Sequence, residues 1–76
     1  MEELRIYLNS LSLEQQHIFA KACGTSLGYL RKAISKDQKL GAELCICIEL
    51  ISDKAISRKQ LRPYDWKKIW PELMAA

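Results

Sequence analysis

The chain has 76 residues, of which 12 are Lys or Arg and 9 are Asp or Glu, so its formal net charge is +3. A chain this short forms a single domain, residues 1–76, and cannot both build a core and enclose a roomy cofactor pocket. The composition, 49% hydrophobic and 28% charged, is typical of a globular domain and excludes a disordered chain. The net charge permits a polyanionic partner if the basic side chains share one face.

The cysteine and histidine content argues against a disulfide framework and a metal site. An odd number of cysteines (Cys23, Cys45 and Cys47) without a secretory signal indicates reduced thiols and a cytoplasmic location. Cys45 and Cys47 lie among isoleucines and are predicted to be small buried hydrophobes, while His17 is the single histidine. The longest apolar run, 44–48, is far shorter than the ~20 residues of a membrane span. We expect no metal, no cofactor and no contact with a membrane.

Apolar spacing predicts four helices in the first two-thirds of the chain. Their predicted ranges are 2–9, 13–23, 26–35 and 40–52. Ser12 and Gln15 have the spacing of a capping box at the start of the second helix, and Gly24 is the expected left-handed residue just beyond its end. Thr25 or Ser26 can cap the third helix.

The third and fourth predicted helices differ in their patterning. In the third, one face is apolar and the opposite face is polar and basic. The apolar face holds Leu27, Leu30, Ala33 and Ile34, and the other face holds Gly28, Arg31, Lys32 and Ser35. The fourth helix is apolar nearly all round. It is therefore expected at the centre of the fold, with only Glu43 and Glu49 on an exposed edge.

The last third of the chain is less regular and predicts two short helical turns. Ser57 is expected to cap residues 57–61, and Asp65 to cap residues 66–70. A proline follows each turn and ends it. Trp66 and Trp70 are four residues apart and share a face if the turn is helical. They are expected to close the core over the fourth helix, with an exposed partner-binding patch as the alternative.

Residues 16–35 have the pattern of a helix-turn-helix. The first helix of this motif needs a small residue where the second crosses it, and the turn needs a glycine four positions later. Ala20 and Gly24 meet these two needs. Apolar residues that would lock the two helices together are also present: Phe19, Cys23, Leu30 and Ala33. In this motif the second helix is free to enter the major groove of DNA.

The stretch from Gln16 to Ile34, QHIFAKACGTSLGYLRKAI, resembles the helix-turn-helix repressors of phages, the Cro and related repressor superfamily. The later stretches LRPYDW at 61–66 and IWP at 69–71 are similar to the tail of prophage Cro-like regulators of the YdaS type, which are sometimes grouped with toxin–antitoxin modules. The resemblance covers about residues 10–73. It implies a lambda-repressor-like DNA-binding domain, an all-α bundle of about five helices.

The resemblance also implies residues that contact DNA. Gln16 resembles a glutamine that touches a backbone phosphate and supports the recognition helix, and Gln15 is its neighbouring candidate. Thr25 stands where the family usually has an aliphatic turn residue. The positions that face bases and flanking phosphates are held by Ser26, Leu27, Gly28, Arg31 and Lys32.

Among these positions, the side chains differ in what they can read. Leu27 can touch a thymine methyl group, whereas Gly28 reads nothing by itself. Direct readout is therefore expected from Ser26, Tyr29, Arg31 and Lys32. Lys21 and Lys36 flank the same region and are candidate phosphate contacts, with a plain solvated surface as the alternative.

The predicted function is sequence-specific binding of double-stranded DNA by a small prophage-type transcriptional repressor that acts by occluding an operator. Useful affinity is expected to need a homodimer on a two-fold operator, joined through the fourth helix or the tail. The alternative is an antitoxin-like interaction module that holds a toxin or another protein through Trp66 and Trp70. Scattered Ser, His and Asp residues form no triad pattern, so we expect neither an enzyme nor a small-molecule substrate.

Overall fold

The computed structural model describes residues 1–74. All regular secondary structure in this range is helical, and the range contains no β-strand. The helices are α1 (Glu2–Asn9), α2 (Leu13–Ala22), α3 (Leu27–Lys36), α4 (Ala42–Ile51), α5 (Arg58–Leu61) and α6 (Trp66–Ile69), followed by a 3₁₀ helix (Pro71–Met74). The predicted all-α class is confirmed. The 3₁₀ helix was not predicted, although a proline suits the first position of a helix because its missing N–H is not needed there.

Capping side chains fix where α2 and α5 begin. Ser12 and Gln15 form the predicted capping box: the Gln15 amide N donates to Ser12 Oγ at 3.1 Å, and the Ser12 amide N donates to Gln15 Oε1 at 3.0 Å. Ser57 and Gln60 form a second box at the start of α5. Each box satisfies two amides that a helix start would otherwise leave unpaired.

The predicted cap of α6 is wrong. Asp65 occupies the N-cap position, but its side chain makes no capping hydrogen bond. Its two carboxylate oxygens instead accept hydrogen bonds from the Arg62 guanidinium. A charged bidentate pair is stronger than a hydrogen bond to one backbone amide. The Asp65 carboxylate therefore binds Arg62 instead of capping α6.

The core collects apolar side chains from every part of the described chain. Its fully buried large residues are Leu4, Leu8, Leu30, Leu40, Ile48 and Ile56. Trp70 is 5% exposed and belongs to the same cluster, and Trp66 packs half-buried against it. The expectation that the tryptophans close the core is therefore confirmed fully for Trp70 and partly for Trp66.

The expected central position of α4 is wrong. Only Cys45 and Ile48 of its ten residues are buried, while Leu50 is 67% and Ile51 45% exposed. A helix can be covered all round only if neighbours pack on every side, and a domain of this size has too few elements for that. The helix therefore buries one stripe and leaves much of its apolar surface exposed.

The two acidic residues of α4 differ in solvent exposure. Glu43 is exposed, as expected, but Glu49 does not lie on an exposed edge. Its Oε1 accepts from Arg58 Nε at 3.0 Å and its Oε2 accepts from the Arg58 backbone N at 3.0 Å. This pair joins the end of α4 to the start of α5. Across residues 1–74, none of the helices is both long and apolar enough to cross a membrane.

Candidate nucleic-acid interface

A tight turn joins α2 to α3 at Gly24. This glycine has φ +80°, a left-handed conformation that side chains with a Cβ rarely adopt. Beyond it, the Thr25 amide N donates to the Ala20 carbonyl at 3.0 Å, and Ser26 Oγ accepts from the Tyr29 amide N at 3.1 Å. Ala20 is fully buried, so the small residue lies at the place where the two helices pack together. The turn thus sets the direction in which α3 leaves α2.

The outer face of α3 is basic and exposed, as the pattern predicts. Its buried residues are Leu27, Leu30 and Ala33, and its exposed residues are Gly28, Tyr29, Arg31, Lys32, Ser35 and Lys36. Within residues 1–74, no carboxylate forms an ion pair with Arg31, Lys32 or Lys36. The positive charge of this face is therefore not neutralised by the chain itself, and the face favours an anionic partner.

One buried side chain ties three helices together beneath this face. Gln16 is 7% exposed, and its Nε2 donates to the Leu8 carbonyl at 2.8 Å and to the Leu11 carbonyl at 3.1 Å. Its Oε1 accepts a hydrogen bond from Arg31 Nη2. The Gln16 amide has no free donor left for a DNA phosphate, so its expected phosphate contact is corrected: its role is to hold the Arg31 guanidinium. Arg31 keeps further N–H donors for a ligand.

Leu27 is a second correction. The side chain is 6% exposed and lies in the core cluster, so it has no surface to offer a thymine methyl group. It is the first residue of α3, and the inward direction set by Leu30 and Ala33 carries it into the core as well. The resemblance had placed it on the outer face, while the helical periodicity had placed it inward. The periodicity was right.

The remaining candidate residues differ in exposure and in the polar groups that they leave free for a ligand. Ser26 is exposed, and although its Oγ accepts the capping bond, its hydroxyl proton remains a free donor. Gln15 is exposed and uses only its oxygen in the capping box, so its amide NH₂ is free. Thr25 is half-buried in the turn, and Tyr29 is 39% exposed. These residues lie around the N-terminal half of α3.

A cluster of polar contacts that the sequence did not predict lies at the other end of α3. Arg62 Nη1 donates to the Leu40 carbonyl at 2.5 Å, and Lys39 Nζ lies 3.8 Å from Asp65 Oδ2. These contacts bring the α5–α6 loop against the segment between α3 and α4. Hydrogen bonding from Arg62 lowers the pKa of Asp65, and Asp65 in turn raises the pKa of Arg62. The i, i+3 spacing of Arg62 and Asp65 was the signal available in the sequence.

The tail carries a second set of basic side chains around Trp66. Lys59 Nζ lies 4.5 Å and Lys67 Nζ 5.8 Å from the centroid of the Trp66 ring. Arg58 lies 5.3 Å from the ring centroid of the buried Trp70. Cations over ring faces are attracted to the electron-rich π-system. Of the two tryptophans, Trp66 retains exposed surface, while Tyr64 and Met74 in this part of the chain are 92% and 58% exposed.

The cysteines and carboxylates do not assemble into a metal site within residues 1–74, where no group of three possible ligands is found. Cys23 and Cys45 are buried and free, and burial raises the pKa of each thiol to about 11. A thiol with so high a pKa is neither a good metal ligand nor a good nucleophile. Both thiols therefore act as small core residues.

Comparisons with protein-family models, with curated proteins and with solved structures gave no match. What the molecule binds has to be inferred from its own surface. The feature that most strongly indicates a ligand is the unneutralised basic face of α3, with one of its cations fixed from below by Gln16.

Proposed function

We propose that the chain binds double-stranded DNA sequence-specifically, as a small prophage-type repressor that occludes an operator. The observation that supports this most directly is the hydrogen bond that Arg31 donates to Gln16 Oε1, which fixes a guanidinium on the exposed basic face of α3. A cation fixed before binding loses little side-chain entropy when it meets its ligand.

In this proposal α2 and α3 serve as a helix-turn-helix, with α3 in a major groove about 12 Å wide. Arg31 donates to the O6 and N7 atoms of a guanine, the commonest specific contact in this groove. Lys32 and Lys36 neutralise backbone phosphates on either side. Ser26 and Tyr29 are further contacts at the N-terminal half of α3, and Gln15 reaches a phosphate from α2.

A single module of this size makes few base contacts, so the proposal includes a homodimer on a two-fold operator. The exposed apolar residues of α4 support it. Ile51 and Ile18, which are 45% and 61% exposed, line one groove between α4 and α2. Leu50, 67% exposed, immediately precedes Ile51 on the same helix. Large apolar side chains left in water favour burial against another protein surface.

The experiment that tests DNA binding is selection of bound duplexes from a random pool, followed by titration of the recovered duplex at several salt concentrations. A palindromic consensus and a log–log slope of about −0.9 per neutralised phosphate are expected. Arg31→Ala together with Lys32→Ala should abolish the preference for the selected duplex. Lys67→Ala together with Lys68→Ala removes the same charge from α6 and is the matched control. No enrichment, or equal effects of the two double variants, would contradict the proposal.

The alternative, an antitoxin-like module that holds a toxin or other protein partner, has less surface to work with. Trp70 is 5% exposed, so of the two tryptophans that this alternative invokes only Trp66, with its neighbouring lysines, is accessible. If no duplex is enriched, and if Trp66→Ala weakens binding to a toxin-like partner without lowering the melting temperature, the interaction module replaces the repressor.

A further inference from the structure

The loop between α5 and α6 is held rigidly although it has no regular structure. The Arg62 guanidinium donates to both carboxylate oxygens of Asp65, from Nε to Oδ1 at 3.0 Å and from Nη2 to Oδ2 at 2.5 Å. It also donates to the Leu40 carbonyl. Both side chains of this pair are mostly buried, at 16% and 24% exposed. Pro63 follows and fixes one backbone dihedral of the loop. The segment is thus anchored on both sides of residue 64.

Tyr64 stands at the tip of this anchored loop and takes no part in the core. It is 92% exposed, more than any other large apolar or aromatic residue of the described chain. Across residues 1–74 its hydroxyl has no hydrogen-bond partner. An aromatic ring that is held out into water contributes nothing to folding, whereas a ring with a polar tip suits contact with a partner.

The loop lies beside the end of α3. A cleft of about 220 Å³ is lined on one side by residues 37–39, which directly follow α3, and on the other by residues 60–65. Lys39 reaches across this cleft toward Asp65, at 3.8 Å, and is 70% exposed. Asp37, 90% exposed, lines the same cleft and lies 3.8 Å from the N-terminal amine of Met1. The lining therefore holds three positive groups (the Met1 amine, Lys39 and Arg62) and two carboxylates (Asp37 and Asp65). This small positive excess favours an anionic ligand beside Tyr64.

We propose that Tyr64 is a further DNA contact, whose hydroxyl donates a hydrogen bond to a backbone phosphate beyond the base pairs that α3 reads. This inference rests on the proposed function. A phosphate oxygen is the acceptor that the surroundings favour, since Lys39, Arg62 and the N-terminal amine outnumber the two carboxylates of the cleft beside Tyr64. Arg62 is the positioning residue that holds the loop against the Leu40 carbonyl.

The test uses the full chain and the duplex recovered by selection. Tyr64→Phe removes only the hydroxyl and should weaken binding by about three- to tenfold, the usual net effect of losing one hydrogen bond. Ethylation of single phosphates should identify one position, outside the α3 contacts, at which modification weakens the wild-type complex but not the Tyr64→Phe complex. Ile6→Ala, at a side chain that is 62% exposed on α1, is the control for general surface effects. Melting temperatures should be equal in all three proteins.

A second variant tests the positioning role. Arg62→Lys keeps the charge but cannot grip a carboxylate with two parallel donors. In the Arg62→Lys background, adding Tyr64→Phe should have little further effect on affinity, because the loop no longer places the hydroxyl. Full additivity of the two changes would overturn this role.

The outcomes separate the two proposals. If Arg31→Ala with Lys32→Ala abolishes binding while Tyr64→Phe and Tyr64→Ala leave it unchanged, the Tyr64 contact is wrong and the DNA-binding function stands. If the wild-type chain enriches no duplex, both fail. If Tyr64→Ala leaves DNA binding intact but removes binding of a protein partner, the loop is a protein-docking surface and the phosphate contact is overturned.

Discussion

At the scale of single residues, Gln16 shows how one polar side chain serves both the core and the surface. A buried amide is tolerated only if its hydrogen bonds are made, and Gln16 makes all of its bonds to Leu8, Leu11 and Arg31. The same bonds set the distance between α1 and α3 and fix the cation on the outer face. Stability and the candidate interface therefore depend on one side chain.

Replacing this side chain should destabilise the fold more than replacing its neighbour. Gln16→Ala leaves the Leu11 carbonyl without its partner and should lower the free energy of unfolding by about 1–3 kcal/mol. Gln15→Ala removes one bond of an exposed capping box and should cost about 0.5–1 kcal/mol. Urea unfolding of the two variants measures the difference. Equal losses would mean that the buried amide contributes no more than the exposed one.

The cysteines should differ in reactivity. At pH 8, thiols with a pKa of about 11 are ionised only to about one part in a thousand. Cys23 and Cys45 should therefore resist iodoacetamide in the folded protein, while the half-buried Cys47 reacts first. Mass spectrometry after brief labelling identifies the modified residue. In urea all three should react at similar rates, and early labelling of Cys45 in the native protein would contradict its burial.

The same two thiols should make stability depend on alkaline pH. Their ordinary pKa is 9.0 and burial raises it to about 11, so between these values the unfolded chain binds fewer protons than the folded one. Stability should then be complete below pH 9 and fall as the pH rises toward 11. Urea unfolding at pH 8 and pH 10 measures this. A Cys23→Ala, Cys45→Ala variant that is equally pH-dependent would assign the loss to other groups.

At the scale of the elements, the two glycines near the start of α3 have opposite roles. Gly24 needs its left-handed conformation to make the turn, whereas Gly28 lies inside the helix, and a Cβ at either position would meet no atom within 4 Å. Any effect of an added methyl group therefore comes from the backbone alone. The two positions form a matched pair for testing how the turn specifies the crossing of α2 and α3.

Gly24→Ala should destabilise the protein by about 1–2 kcal/mol, because the left-handed conformation crowds a Cβ. Gly28→Ala should stabilise it by about 0.5–1 kcal/mol, because alanine loses less conformational entropy in a helix. Thermal melting of both variants tests the signs. A stabilising Gly24→Ala would show that the turn adopts another conformation in solution.

At the scale of the whole molecule, α4 packs only one of its faces against the core. Ile48 is fully buried and Leu50, two residues later, is 67% exposed. Ile48→Ala should cost about 2–5 kcal/mol because it opens a cavity, while Leu50→Ala should stay within about 0.5 kcal/mol in the monomer. Unfolding at low protein concentration measures both values. A large loss for Leu50→Ala at low concentration would mean that this face is covered within the monomer.

The helix caps, the tight turn and the helix faces could be predicted from the sequence because they depend on neighbouring residues alone. The capping boxes at Ser12 and Ser57, the left-handed Gly24 and the two faces of α3 follow from side-chain chemistry and helical spacing. The exposed basic face of the candidate interface was predictable for the same reason. These features need no information about what packs against each helix.

Only the tertiary structure decided which groups meet across the chain. Gln16 became a buried bridge because α1 and α3 close around it. The α4 helix lost its expected central place because the small domain has too few neighbours to cover it. The hydrogen bond from Arg62 to the Leu40 carbonyl joins residues 22 positions apart, which spacing along the chain does not specify.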